Sequence, residues 1–318
     1  MNNASMSTDE KETTQLRDQV VSEMEVNKLS QSRVSSESGI GKARLNQWLK
    51  GSYTGNNQEI NQQVTIWLDS RKKRNQEVGK ILEKPTWTET VTGKRILTTL
   101  DYAQVAADIC CIYGGAGVGK TFTCRHHAEN NPNVWVATMT SATSGVAASL
   151  EQIAIAIGLK NYPGRASRLA RAIAEKLKNT NGLLIIDEAQ HLSKQALEVI
   201  RSLHDESDIG VALVGNEIVF SQMTGGGARS EGFAQLFSRI GKRVRLTKPV
   251  DGDVEPLAQA WGISDKKVIQ ELISIAGKPG ALRGLTKTIR LGAMFAVGKN
   301  VDLGLAEIKA ASRDLGIS

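Results

Sequence analysis

Eight residues, Gly114-Gly-Ala-Gly-Val-Gly-Lys-Thr121, set a lysine and a hydroxyl directly behind a run of small residues. The spacing GxxxxGK[ST] suits a phosphate cradle. Glycines let backbone N–H groups curl around phosphate oxygens that side chains would otherwise block. A helix starting near Thr121 adds the positive end of its dipole. Lys120 is placed to reach the β- and γ-phosphates, and the Thr121 hydroxyl to ligate Mg²⁺. Gly114, Gly115, Ala116, Gly117, Val118, Gly119, Lys120 and Thr121 are therefore the expected nucleotide-binding residues, with ATP and Mg²⁺ as cofactors.

A second signal is Gly182-Leu-Leu-Ile-Ile-Asp-Glu188, four aliphatics ending in two acids. It reads as a buried parallel strand, and ligands sit at the carboxyl ends of such strands. Asp187 is placed to hold Mg²⁺, and Glu188 to orient or deprotonate an attacking water. Ile209-Gly-Val-Ala-Leu-Val-Gly-Asn216 is another apolar strand. Its terminal amide, on Asn216, is in place to hydrogen-bond the γ-phosphate or the lytic water.

These groups need a scaffold. Asp108–Tyr113, Val134–Thr140, Gly182–Glu188, Ile209–Asn216 and Arg243–Thr247 read as strands between longer amphipathic helices, an α/β pattern over residues 87–250. Residues 251–318 read as a small helical lid. Residues 16–70 read as an all-α unit, with a turn at Gly39 between two short helices and a cap at Gly51. Ile40, Leu45, Trp48 and Leu49 are expected inside, and Lys42, Arg44, Asn46 and Gln47 outside. Residues 1–15 are polar enough to read as a disordered tail. Residues 71–86 read as a basic linker, whose Arg71-Lys-Lys-Arg74 run either touches phosphates or is a solvated helix end.

The chain has 318 residues and a formal charge of +7, a balance that tilts toward polyanionic partners. Three cysteines without CxxC spacing argue against a disulfide framework or a zinc site, and Cys110 and Cys111 fall in an apolar strand. No apolar run reaches the ~20 residues that span a bilayer. No leader-like segment opens the chain, so a cytoplasmic protein without membrane association is expected.

Ser30–Ser32, Gly39-Ile40 and Trp48-Leu-Lys-Gly51 resemble the helix-turn-helix of Cro/repressor-like domains, whose second helix enters the major groove. The strand order, with the P-loop first, the acid pair next and Asn216 last, resembles the AAA+ P-loop ATPases: a parallel sheet sandwiched by helices with a helical lid. That resemblance implies a sensor-1 role for Asn216. It also implies an arginine finger into a neighbouring subunit at Arg239, and a sensor-2 role for Arg283 within Gly280-Ala-Leu-Arg283.

A closer resemblance is to the Mu B family of target-capture ATPases in phage transposition. It is carried by Asn133-Val-Trp, Gly182-Leu-Leu-Ile-Ile-Asp-Glu-Ala, Gln222-Met-Thr-Gly-Gly, Leu236-Phe-Ser-Arg-Ile and Lys278-Pro-Gly-Ala-Leu-Arg. It implies ATP-dependent helical filaments on double-stranded DNA, little sequence preference, and stimulation of a Mu A-like transposase. DNA contacts are expected from Lys160, Arg165, Arg168 and Arg171, on the face of a helix opposite Ala166, Leu169, Ile173 and Leu177. Lys42 and Arg44 are further candidates. The same arginines fit a merely solvated face. A helicase-loader-like ATPase and a non-enzymatic helix-turn-helix regulator are the alternative functions.

Overall fold

The structure, a computed structural model, describes residues 8–78, 85–161, 164–219 and 239–317. It divides into two compact units, residues 1–82 and 83–318. In the first, α1 (Thr8–Val26), α2 (Gln31–Ser38), α3 (Lys42–Leu49) and α4 (Asn57–Val78) enclose Val20, Val34, Leu45, Trp48, Ile60 and Val64. Ser30 caps α2 by accepting from the Arg33 N–H at 3.2 Å. Gly39 ends α2 at φ 73°, a conformation that lets the chain turn directly into α3. Ile40, Leu45 and Trp48 lie inside as expected, while Lys42 is exposed.

Two expectations for this unit need correction. The stretch read as a disordered tail is helical from Thr8 onward; residues 1–7 lie outside the described part. Its ordering partner is polar, which an apolar count misses. The Thr13 hydroxyl is buried and accepts from Asn61 Nδ2 at 2.7 Å, and Asn61 Oδ1 accepts from Trp48 Nε1 at 3.0 Å.

The linker expected over 71–86 begins as helix, because α4 continues to Val78; residues 79–84 are not described. Arg71 is not a free phosphate contact. It donates to Glu23 Oε1 and to Glu37 Oε2, both at 2.7 Å, and lies over the Trp67 ring. One buried guanidinium thus joins α1, α2 and α4, satisfied by two carboxylates as a desolvated charge must be.

In the second unit, β1 (Ile109–Gly114), β2 (Val134–Thr138), β3 (Leu183–Asp187), β4 (Gly210–Gly215) and β5 (Ile240–Leu246) form one sheet in the order β2-β3-β4-β1-β5, with every pairing parallel. The strands read as near-continuous apolar runs because both faces are covered. Ile109 and Cys111, with Leu184 and Ile186, face α7 (Val146–Ala156), α8 (Ala166–Leu177) and α9 (Lys194–Ser207). Cys110 and Ile112, with Leu183 and Ile185, face α5 (Val91–Val105) and α6 (Lys120–Asn130). Burial pushes the Cys110 and Cys111 thiols up to about 12, as for the inert core residues expected there.

Helices α10 (Asp251–Ala260), α11 (Lys266–Ala276), α12 (Ala281–Lys299) and α13 (Leu305–Asp314) enclose a core of their own, including Leu272, Leu285, Ile289 and Ile308. A buried carboxylate fastens this layer to α5. Asp253 accepts from the Thr92 N–H at 2.7 Å, the Thr92 hydroxyl at 2.6 Å and the Val250 N–H at 2.9 Å. Among the described residues no helix is long and apolar enough to cross a membrane.

Replacing Arg71 with Ala removes the ion pairs to Glu23 and Glu37 that join three helices, and should cost about 2–4 kcal/mol. Amide exchange in α1 and α4 should then accelerate while sheet amides stay protected. Arg33 first, then Arg71, hold the Glu37 carboxyl below its usual value against the upward pull of burial. The associated stability is present in full above about pH 4.5 and is lost as the pH falls through the lowered value. The Arg71→Ala protein should show a smaller acid-dependent loss. Unchanged exchange in α1 would contradict this account.

Candidate nucleotide site

β1 delivers the chain into the loop 114–119, and α6 leaves it at Lys120. The loop is pressed against two backbones. A Cβ at Gly114 would strike the Leu246 carbonyl of β5, and a Cβ at Gly117 the Gly280 carbonyl before α12. Gly115 N–H donates to Leu246 O at 2.8 Å, fixing the loop to the end of β5. Val118 anchors it from below in the core, whereas Ala116 is exposed at the tip. Gly119 is the N-cap of α6 and supplies no side-chain acceptor, so the first-turn N–H groups keep their capacity for an anion.

Lys120 is half-buried, and its Nζ donates to Gly115 O at 2.7 Å and Gly114 O at 3.0 Å. Burial lowers it from the ordinary lysine value, while Glu188 and Asp187 pull the other way and Arg283 adds a small push downward. Asp187, at the end of β3, is 1% exposed. Its Oδ1 accepts from the Glu188 N–H at 3.0 Å, and its Oδ2 is buried without a hydrogen-bond partner. Burial raises the Asp187 carboxyl; the Thr121 side chain beside it acts in the opposite direction.

A buried, orphaned carboxylate oxygen facing a hydroxyl fits a hydrated Mg²⁺, which takes one or two protein oxygens and completes its shell with water and phosphate. Among the described residues no group of three or more His, Cys, Asp or Glu is arranged for a metal.

Parallel pairing brings the other parts to the same edge. β4 lies between β3 and β1, so Asn216, just past β4, stands beside the acid pair and the loop. Asn216 Oδ1 accepts from the Ile218 N–H at 2.8 Å. Arg283 is exposed in the first turn of α12, near enough to influence Lys120.

Arg239 is elsewhere. It precedes β5, whose Ile240 pairs with Ile109 at the amino end of β1. The loop is at the other end of that strand, roughly 15–20 Å away at ~3.3 Å per residue. Arg239 instead bonds Asp205 of α9.

Residues 238–315 match the family described as Mu B transposition protein, C terminal, and residues 104–223 match the AAA domain family. The ATP-dependent target DNA activator B of Escherichia phage Mu is 37% identical over 285 residues, 90% of each chain. Its namesake in Escherichia phage D108 is 36% identical over the same length and coverage. The chain belongs to the Mu B family. The Mu-like prophage FluMu DNA transposition protein B of Haemophilus influenzae is a further relative, 36% identical over 261 residues, 82% of this chain and 90% of that one.

This Mu B family member is an AAA+ ATPase. Several of its residues are candidates for the work of hydrolysis. Backbone N–H groups of the loop and α6 are placed to meet phosphates, and we infer that Lys120, whose Nζ donates to two loop carbonyls, would turn to phosphate oxygens. A bound Mg²⁺ would supply charge neutralisation for the phosphates. We infer that Asp187 and Thr121 would hold it, and that Glu188 would take or orient the proton of the attacking water.

The family phrases Gln222-Met-Thr-Gly-Gly and Leu236-Phe-Ser fall on residues that are not described. Lys160, Arg165, Arg168 and Arg171 are all exposed. Arg44 is partly engaged, lying 3.4 Å from Glu59 and over the Tyr53 ring. Sequence reasoning missed Gln190, which bonds both Glu188 and the Asn216 backbone. The phrase that carries Arg283 begins at Gly280, but its spacing gives no sign that the Gly280 carbonyl meets Gly117. Their types carry no chemical signature, so only the folded chain reveals them.

Glu188→Gln should retain nucleotide binding and lose about 10²–10⁴ in hydrolysis rate. Lys120→Ala should weaken nucleotide binding itself. Equilibrium binding of a fluorescent ATP analogue, measured beside phosphate release, separates the two. Full hydrolysis by Glu188→Gln would remove Glu188 from the mechanism.

Proposed function

We propose that this ATPase assembles with ATP on double-stranded target DNA, captures it with little sequence preference, and delivers it to a partner transposase that it stimulates. The observation that carries this reading is 37% identity, over 90% of both chains, to a protein named ATP-dependent target DNA activator B. The exposed face of α8 supports the DNA-binding part. Leu169, Ile173 and Leu177 are buried, while Arg168 and Arg171 stand outside with Arg165 and Lys160 just before the helix. Guanidinium groups on one face grip phosphates without reading bases.

Assembly is supported by where Arg239 sits. A finger at the far end of β1 from its own phosphate loop serves a neighbour's nucleotide. Arg283, beside the P-loop of its own chain, serves the same subunit. The two-helix turn of α2 and α3 is a second DNA-contacting element, with Lys42 exposed on α3.

Salt-titrated binding to random-sequence duplex, with ATP or ADP and viewed by electron microscopy, tests the assembly. Filaments should require ATP. Changing Arg165, Arg168 and Arg171 together to Ala should flatten the slope of log K against log salt by about 0.9 for each phosphate that is no longer neutralised. An unchanged slope would make that face merely solvated. Mixing Arg239→Ala with Lys120→Ala protein should restore hydrolysis that neither shows alone, because each supplies what the other lacks. An inactive mixture would exclude a finger acting in trans.

A further inference from the structure

Gln190 lies two residues beyond the acid pair, in the single turn of 3₁₀ helix over Ala189–His191. Its side chain works in both directions at once. The Nε2 amide donates to Glu188 Oε2, and the Oε1 carbonyl accepts from the Asn216 N–H at 3.2 Å. A glutamine amide can donate and accept together; a hydrocarbon does neither, and a carboxylate only accepts. Gln190 thus bridges the acid at the end of β3 and the polar end of β4.

The surroundings are shaped for this bridge. Gly215 closes β4, and a Cβ there would strike the Gln190 Oε1 atom and the Val219 side chain. The small residue before Asn216 leaves room for the glutamine to cross. Glu188 itself is left-handed, at φ 56° and ψ 38°, a conformation a non-glycine residue holds only when its surroundings impose it. The turn that imposes it is closed by the His191 N–H on Glu188 O at 3.1 Å and is seated by the fully buried Ala189.

We propose that Gln190 is a positioning residue for ATP hydrolysis: it fixes the direction of the Glu188 carboxylate and ties it to the strand end that carries Asn216. A displacement of Asn216 by the γ-phosphate is then carried through one side chain to Glu188. The proposal rests on the reading of Glu188 as the residue that handles the attacking water. Gln190 is proposed to act through Glu188 and Asn216, the two groups it joins.

The test is steady-state hydrolysis by the full-length protein with Gln190→Met, which keeps length and volume and removes the hydrogen bonds to Glu188 and Asn216. The kcat should fall about 10- to 100-fold with the KM for ATP within twofold. Gln190→Glu should be at least as impaired, since it sets a second carboxylate against Glu188. In a Glu188→Gln background, Gln190→Met should add no further loss, because residues acting as a unit are non-additive.

A kcat within twofold of the unsubstituted protein would overturn the proposal. So would an equal, independent loss in the Glu188→Gln background, or a loss confined to KM. The two readings fail separately. Glu188→Gln at full activity defeats the reading of Glu188, whereas an inactive Glu188→Gln beside a normal Gln190→Met defeats only the role of Gln190.

Discussion

Strands β3, β4 and β1 pair in parallel and are covered on both faces, so three carboxyl ends finish side by side at one edge of the sheet. Everything that meets a nucleotide depends on that alignment. The phosphate loop leaves β1, the acid pair leaves β3, and Asn216 leaves β4 between them. A one-residue slip in either pairing would swap the faces of a strand and displace its carboxyl end by about 3.3 Å. The same hydrophobic packing that fixes the register also fixes the site's geometry, to within the tolerance that proximity catalysis requires.

The cost of that placement falls on Asp187. A carboxylate at the end of a fully buried strand loses its water, and the Thr121 side chain beside Asp187 offsets only part of that loss. The first unit treats a buried charge differently. Arg71 is matched there by Glu23 and Glu37, one partner on each of two helices. A charge that is paired within the fold holds structure together. One left partly unsatisfied is available to a ligand, and the contrast separates a structural ion network from a binding site without any appeal to sequence similarity.

Most of the site was legible in the sequence because its parts are covalently adjacent. Lys120 follows its glycines, and Glu188 follows Asp187 at the end of four aliphatics, so spacing alone reports their placement. The strands were legible for the same reason, each being a short apolar run with clear bounds. What could not be read were partnerships across the fold. Thr13 looked like part of a polar tail because its partner, Asn61, is 48 residues away. Arg71 looked like part of a basic run because the acids that neutralise it lie on α1 and α2. Gln190 resembles any surface glutamine until β4 is laid beside β3.

The meeting of Gly117 with Gly280 joins the phosphate loop to the start of α12 through backbone alone. Side chains that meet across a joint can change rotamer and absorb a small displacement. Two bare peptide segments have no such slack. A joint of this kind is stiffer than one made by side chains, because a shift at the start of α12, the helix bearing Arg283, meets the loop with no intervening rotamer to yield.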